Sequence, residues 1–178
     1  MRCFLGLPVT GTLRRQLQGW CGAGATASMR WEMADDWHLT LVFLGHTDSA
    51  TLDLLAPAVG GICVQSAAIH QPLAGPAPFP HSNSPILALE GEAVAALLTL
   101  HERLQQACTE AGLTLARQEQ RFRPHVTLTR ARTRGTPLPP PAPLQLDANE
   151  VVLYSSERPD GEGRRYRPVA RWPLAGQR

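Results

Sequence analysis

A four-residue pattern of histidine, apolar residue, threonine and apolar residue occurs twice in this chain, as His38-Leu39-Thr40-Leu41 and His125-Val126-Thr127-Leu128. In an extended strand successive side chains point to opposite faces, so each histidine shares a face with its threonine while the apolar pair turns to the other side. The hydroxyl can donate to an anionic oxygen, and the imidazole titrates near neutrality and moves protons. Two copies allow a division of labour in the hydrolysis of a cyclic phosphodiester. One neutral ring takes a proton from the water attacking phosphorus, and one protonated ring gives a proton to the departing sugar oxygen, each contributing roughly 10²–10⁴-fold. Thr40 and Thr127 would stabilise charge on the non-bridging oxygens. Arg130 would join them if its strand bulges or ends, because Thr127 and Thr129 share a face that Arg130 leaves. Such chemistry requires no metal and no cofactor.

Other chemistries fit these residues less well. The chain has no His-Glu-x-x-His, no His-x-His and no cysteine pair at ligand spacing, so no zinc site is expected. It has no Gly-x-Ser-x-Gly turn to present a serine nucleophile. Its glycines do not lead a strand into a helix in the way a dinucleotide site needs. His46, His70, His81 and His101 lack the companion hydroxyl and are expected at the surface. Phe4, Trp37, Phe43, Phe79 and Tyr154 read mostly as core. Phe122, in the Arg-Phe-Arg-Pro approach to the second motif, is the aromatic expected to stack a base.

The elements that must position these residues follow from periodicity and punctuation. Residues 2–7 read as a strand, with Thr10 capping a helix to about Trp20. A strand is expected near 28–32, and 37–44 is the clearest strand of all, ended by Gly45. Leu52, Leu55 and Val59 put a helix over 49–59. The proline-rich stretch 71–85 reads as a long loop between two halves. A strand over 85–90, a helix over 92–111 closed by Gly112, a short strand at 113–115 and a strand over 125–130 come next. Two further strands, 145–154 and 166–174, should pair around Asp160-Gly161. Without the regular alternation of a doubly wound fold, the class is α+β with antiparallel or mixed sheets, in one domain of two lobes spanning 1–178.

Composition narrows the class further. The hydrophobic fraction is 43%, and no apolar run approaches the length of a membrane span. Four scattered cysteines, Cys3, Cys21, Cys63 and Cys108, suggest reduced thiols in a cytoplasmic protein rather than a disulfide framework. The net charge of +2 gives no argument for nucleic acid, but all 17 basic residues are arginine. Several of them, Arg117, Arg121, Arg123, Arg130, Arg132 and Arg134, cluster around the second motif, where a planar fork suits phosphate oxygens. A monomer is the default expectation.

Taken together, these residues resemble the two-histidine (2H) phosphoesterase superfamily, and within it the RNA 2',3'-cyclic phosphodiesterases, also called LigT-like 2'-5' RNA ligases. Arg2-Cys3-Phe4-Leu5-Gly6-Leu7-Pro8 looks like the family's first strand, and the run from His38 to Gly45 like its first motif. Phe79-Pro80 looks like its central Phe-Pro, Arg121 to Arg130 like its second motif, and Val152 to Ser156 like its C-terminal strand. The resemblance implies a bilobal α+β fold in which each half supplies one motif strand to a central cleft. It implies hydrolysis of RNA or nucleoside 2',3'-cyclic phosphate ends to 2'-phosphomonoesters, with 2'-5' ligation as a reversible side activity, and an arginine at Arg130 near phosphate. Trp37 departs from the residue common before the first histidine. Which histidine is acid and which is base stays open; the working assignment is His38 as the acid for the 3' oxygen and His125 as the base for water. Two alternatives share these residues: a module that binds a nucleotide or RNA end without turnover, and a 2H enzyme for another small cyclic phosphate.

Overall fold

The computed structural model describes residues 1–23, 29–115, 121–130, 140, 143–157 and 163–175. In chain order they form β1 (Arg2–Pro8), α1 (Gly11–Cys21), a 3-10 turn (Ala34–Asp36), β2 (His38–His46), α2 (Ser49–Val64), β3 (Ile69–Pro78), β4 (Leu87–Glu90), α3 (Ala95–Glu110), β5 (His125–Thr129), β6 (Leu144–Ala148), β7 (Glu150–Ser156) and β8 (Tyr166–Pro173). The strands make one eight-stranded sheet in the order β6-β3-β4-β5-β2-β1-β7-β8. Every neighbouring pair is antiparallel. The expected α+β class is therefore realised, and the two halves take a specific form. Strands β2-β1-β7-β8 and β5-β4-β3-β6 are two four-stranded wings that meet where β2 lies against β5.

The helices form for reasons visible in their sequences. α1 buries Leu13, Leu17 and Cys21, and α2 buries Leu52, Leu55, Val59 and Cys63, both at helical spacing. The Asp48 carboxylate caps α2 by accepting from the Thr51 amide at 2.8 Å. α3 ends where Gly112 takes φ +84°, a conformation glycine adopts without penalty. The apolar faces of the helices meet Leu5, Leu7, Leu39, Leu41, Val126 and Leu128, so one face of the motif strands is core. All four cysteines are free thiols and buried. Among the described residues no helix is long and apolar enough to cross a membrane.

Several sequence expectations are corrected. The proline-rich stretch expected as a loop contains the ten-residue strand β3, with Ile69, Gln71 and Leu73 buried and His70, Pro72 and Ala74 exposed. Prolines fit because this strand uses one neighbour at a time: residues 69–73 pair with β6 and 74–78 with β4, so each part resembles an edge. The open side at Gln71 is filled by its own side chain, which donates to Glu92 O at 2.8 Å and accepts from Val94 N at 3.0 Å. Gly91 passes so close that a Cβ there would lie 2.2 Å from Pro72 O. The segment expected as a strand at 28–32 has no regular structure over its described part. It lies across the end of β5 through Glu32 N to Leu128 O and Thr129 Oγ1 to Arg30 O. Residues 113–115 form no strand. The single strand expected over 145–154 breaks at Asn149 into β6 and β7, which belong to opposite wings. Arg117, Arg132, Arg134 and the Asp160-Gly161 turn lie outside the described residues.

His101, expected at the surface, is 3% exposed. Its Nδ1 lies 2.9 Å from Leu41 O, and its ring stacks on Phe122 with centroids 3.9 Å apart and planes at 11°. Helical spacing with Leu97, Leu100 and Leu104 places it on the buried face of α3. Replacing it with leucine keeps the volume but leaves the Leu41 carbonyl without its donor. We expect His101→Leu to cost about 1–3 kcal/mol, read as a lower urea midpoint at unchanged denaturant slope.

Candidate active site

The site is built at the meeting of the two wings. Leu39 pairs with Val126 across the β2–β5 junction. Antiparallel continuation on either side sets His38 opposite Thr127 and Thr40 opposite His125. The two motifs are thus related by a local two-fold, with their apolar residues in the core and their polar residues on the same outer face. Gly6 stands across from Thr40 on β1, and Ala88 stands across from Thr127 on β4. Room is short at Gly6, where a Cβ would come within 3.0 Å of Leu39 O and 3.6 Å of the His38 ring.

The symmetry extends to the backbone. On β2 the register shifts between its partners Gly6 and Leu5, which makes Leu41 an extra residue; on β5 the shift between partners Ala88 and Leu87 does the same at Leu128. Each motif therefore bulges at its fourth position, and a bulge reverses the alternation beyond it. That reversal turns Thr129 inward, where it is 0% exposed, and turns Arg130 outward. The equivalent position after the first motif is Phe43, 55% exposed. His38, Thr40, Phe43, His125, Thr127 and Arg130 all line one cavity of ≈ 830 Å³, which is in the range of small-ligand sites. Among the described residues neither Thr40 nor Thr127 has a hydrogen-bond partner for its hydroxyl.

Each imidazole is fixed by the carbonyl two residues before it. His38 Nδ1 lies 2.6 Å from Asp36 O and His125 Nδ1 lies 2.9 Å from Arg123 O. A carbonyl only accepts, so both Nδ1 atoms carry protons, leaving Nε2 for the cavity. The surroundings then differ. His38 is enclosed by Phe4, Tyr154 and Tyr166, with centroids at 4.6, 5.6 and 4.9 Å. Burial pushes its pKa down to about 4, with Arg130 and His125 adding to the fall against the Asp36 carbonyl. His125 stacks on Phe79 at 4.0 Å. Burial lowers its pKa too, but the Arg123 carbonyl and the charge of Glu90, its register partner on β4, work in the other direction, against the Arg123 and Arg130 guanidiniums.

Charged residues outside the motifs hold this arrangement. Arg123 grips Glu90 with two hydrogen bonds, donates to Pro80 O at 2.8 Å and lies 4.6 Å over the Phe79 ring. This clamps the Phe79-Pro80 corner beside His125. On the other wing the buried Asp36 carboxylate accepts from Arg165 N at 2.9 Å and Tyr166 N at 3.1 Å, so the start of β8 is tied to the residue whose carbonyl holds His38. Arg130 Nη2 donates to the Tyr166 hydroxyl at 3.3 Å.

The structure brings together His38, Thr40, His125, Thr127 and Arg130. It does not bring Phe122, whose ring packs on His101 and the core. The exposed aromatic of the cavity is Phe43, and Phe79 flanks His125. Sequence reading also missed Asp36, Glu90 and Arg165. Asp36 carried a weak signal, as a carboxylate two residues before His38; Glu90 and Arg165 carried none, because only the pairing of β4 with β5 and the start of β8 bring them to the site. Among the described residues no group of three or more His, Cys, Asp or Glu side chains could hold a metal ion.

The sequence model of the 2'-5' RNA ligase superfamily matches residues 34–160. An RNA 2',3'-cyclic phosphodiesterase of Geobacillus stearothermophilus is 28% identical over 97% of this chain, which spans 57% of that relative's length. Escherichia coli LigT, solved with 3'-AMP, superposes with a TM-score of 0.78 at 27% identity, covering 97% of each chain. TT0787 of Thermus thermophilus superposes with a TM-score of 0.80 over 100% of both chains at 23% identity, which is a likeness of fold.

The unequal surroundings of the two rings are measurable without substrate. In an NMR titration of the imidazole Cε1 protons, we expect the His38 signal to titrate near pH 4 and the His125 signal to titrate below the ordinary histidine value of about 6.5.

Proposed function

The chain belongs to the 2'-5' RNA ligase superfamily, and from that premise we propose that it hydrolyses 2',3'-cyclic phosphate ends of RNA or nucleotides to 2'-phosphomonoesters, without a metal. The observation that carries this reading is the local two-fold of the two motifs, which sets two histidines and two threonine hydroxyls around one cavity. An in-line displacement at phosphorus needs a base on the side of the attacking water and an acid on the side of the leaving oxygen. Two rings related by a two-fold, with donors between them, supply that geometry.

In this mechanism a ring with free Nε2 takes a proton from water as the new P–O bond forms. The protonated partner gives its proton to the 3' oxygen as the P–O3' bond breaks. The Thr40 and Thr127 hydroxyls and the Arg130 guanidinium donate to the non-bridging oxygens, and Phe43 offers a face to a base. The environments favour His38 as base, because its pKa of about 4 keeps it neutral in the free enzyme. They favour His125 as acid, because Glu90 offsets part of the fall that burial imposes on its pKa, and His38 has no such carboxylate among the causes of its shift. This reverses the working assignment made from sequence. A 5'-hydroxyl in place of water would give a 2'-5' linkage, so ligation uses the same groups.

The test is incubation with a nucleoside 2',3'-cyclic phosphate in excess EDTA, with the product identified by phosphorus NMR. We expect the 2'-monoester, formed at an unchanged rate; loss of turnover in EDTA would overturn the metal-free mechanism. His38→Ala and His125→Ala should each lower kcat by roughly 10²–10⁴-fold. The pH profile of kcat/KM should be bell-shaped. Its acid limb appears as pH falls towards about 4, where His38 gains a proton and is lost as base. Its alkaline limb appears as His125 loses the proton it must donate, below the ordinary histidine pKa. A flat profile through this range would count against the pair.

A further inference from the structure

A second cavity, of ≈ 330 Å³, adjoins the first and is lined by Arg30, Trp31, Glu32, Met33, Arg130 and Arg165 among others. Arg130 and Arg165 line both cavities and so form the partition between them. Glu32, with a side chain 12% exposed, lies 3.7 Å from Arg130 Nε and 3.2 Å from Arg165 Nε. Both contacts use Nε, and Arg130 Nη2 also donates to the Tyr166 hydroxyl, which leaves Arg130 Nη1 and the terminal nitrogens of Arg165 for other partners. Two guanidiniums face the Glu32 carboxylate and Arg30 lines the same cavity, so its described lining residues carry a net positive charge. Its wall is also fixed. The backbone at Arg30 and Glu32 is tied to the end of β5 by Thr129 Oγ1 to Arg30 O at 2.6 Å and Glu32 N to Leu128 O at 2.8 Å. Arg30 and Met33 are exposed, adding a cation and an apolar surface at the same place.

A cyclic phosphate held by the catalytic residues occupies the first cavity. An RNA 3' end carries a second anion close by, the phosphodiester on the 5' side of its terminal nucleoside. We propose that the second cavity binds this phosphodiester and the nucleotide on its 5' side, through Arg30 and the partition arginines, with Met33 against the base or sugar. This rests on the reading given under Proposed function and sharpens its substrate to an oligonucleotide end rather than a mononucleotide. Arg130 and Arg165 then serve two neighbouring phosphates, and Glu32 holds both side chains at the boundary.

The experiment compares a nucleoside 2',3'-cyclic phosphate with a dinucleotide bearing the same cyclic end, in the wild-type protein and in Arg30→Ala and Arg30→Glu. Arg30 is exposed, and thermal melts confirm that the variants fold. The wild type should favour the dinucleotide in kcat/KM through a lower KM. The dinucleotide-to-mononucleotide ratio should fall about tenfold in Arg30→Glu and less in Arg30→Ala, as expected for one charge-assisted phosphate contact. The salt dependence of the dinucleotide reaction should also become shallower by roughly one ion in the variants. No preference for the dinucleotide, or a ratio unchanged by both variants, overturns the proposal. If the wild type turns over neither substrate, the phosphodiesterase reading is what fails. Equilibrium binding of a labelled dinucleotide 2'-phosphate against the mononucleotide then decides the second site: selective weakening by Arg30→Glu supports it, and equal affinities overturn it.

Discussion

The pairing of Leu39 with Val126 joins the two wings of the sheet, and the geometry of the cavity depends on it. Because β2 and β5 run antiparallel, that contact is a local two-fold axis, and whatever one motif presents the other presents in reverse. A slip of one residue would turn the histidines of one strand into the core and its leucines into the cavity. Such a slip is opposed by Leu39, Leu41, Val126 and Leu128, all at most 1% exposed. Full burial of such side chains is worth about 1.5–3 kcal/mol each. The apolar half of each motif thus sets the register that the polar half requires.

The matched bulges complete that constraint. A bulge leaves one carbonyl out of the regular ladder, and at Leu41 a donor for it comes from below the sheet, from His101 on α3. Phe122, stacked on the same ring, belongs to the approach to the second motif. His101 therefore touches both motif strands' surroundings without touching the cavity. The bulges also allow an arginine five residues after one histidine and a phenylalanine five residues after the other to reach one face. An unbroken strand would send both to the opposite side.

Symmetry of backbone does not extend to charge. Around His38 the neighbours are Phe4, Tyr154 and Tyr166, which cannot stabilise an imidazolium as a carboxylate does. Opposite His125 stands Glu90, itself gripped by Arg123. Two rings in identical surroundings would hold a proton equally well; unequal surroundings give them different proton affinities. The difference comes from the outer strands of each wing and from side chains far apart in sequence.

The motifs themselves were legible without coordinates, because alternation in a strand is a local property: His38 with Thr40, and His125 with Thr127, had to share a face opposite their apolar neighbours. The strands and helices around them were legible where apolar periodicity was strong, as in α3 and β2. β3 was not, since proline content signals a loop unless one knows that each part of the strand has a single partner. Nor was the burial of His101, which depends on a carbonyl freed by a bulge sixty positions away in sequence. Sequence alone determined which residues could do the chemistry and in what local pairs. Only the tertiary structure decided that the pairs meet in opposite directions across one strand junction, that Arg130 rather than Phe122 reaches the cavity, and that deeper burial of one ring and a carboxylate near the other make two like histidines unlike. Strand pairing, bulges and desolvation all arise between segments that no local pattern connects.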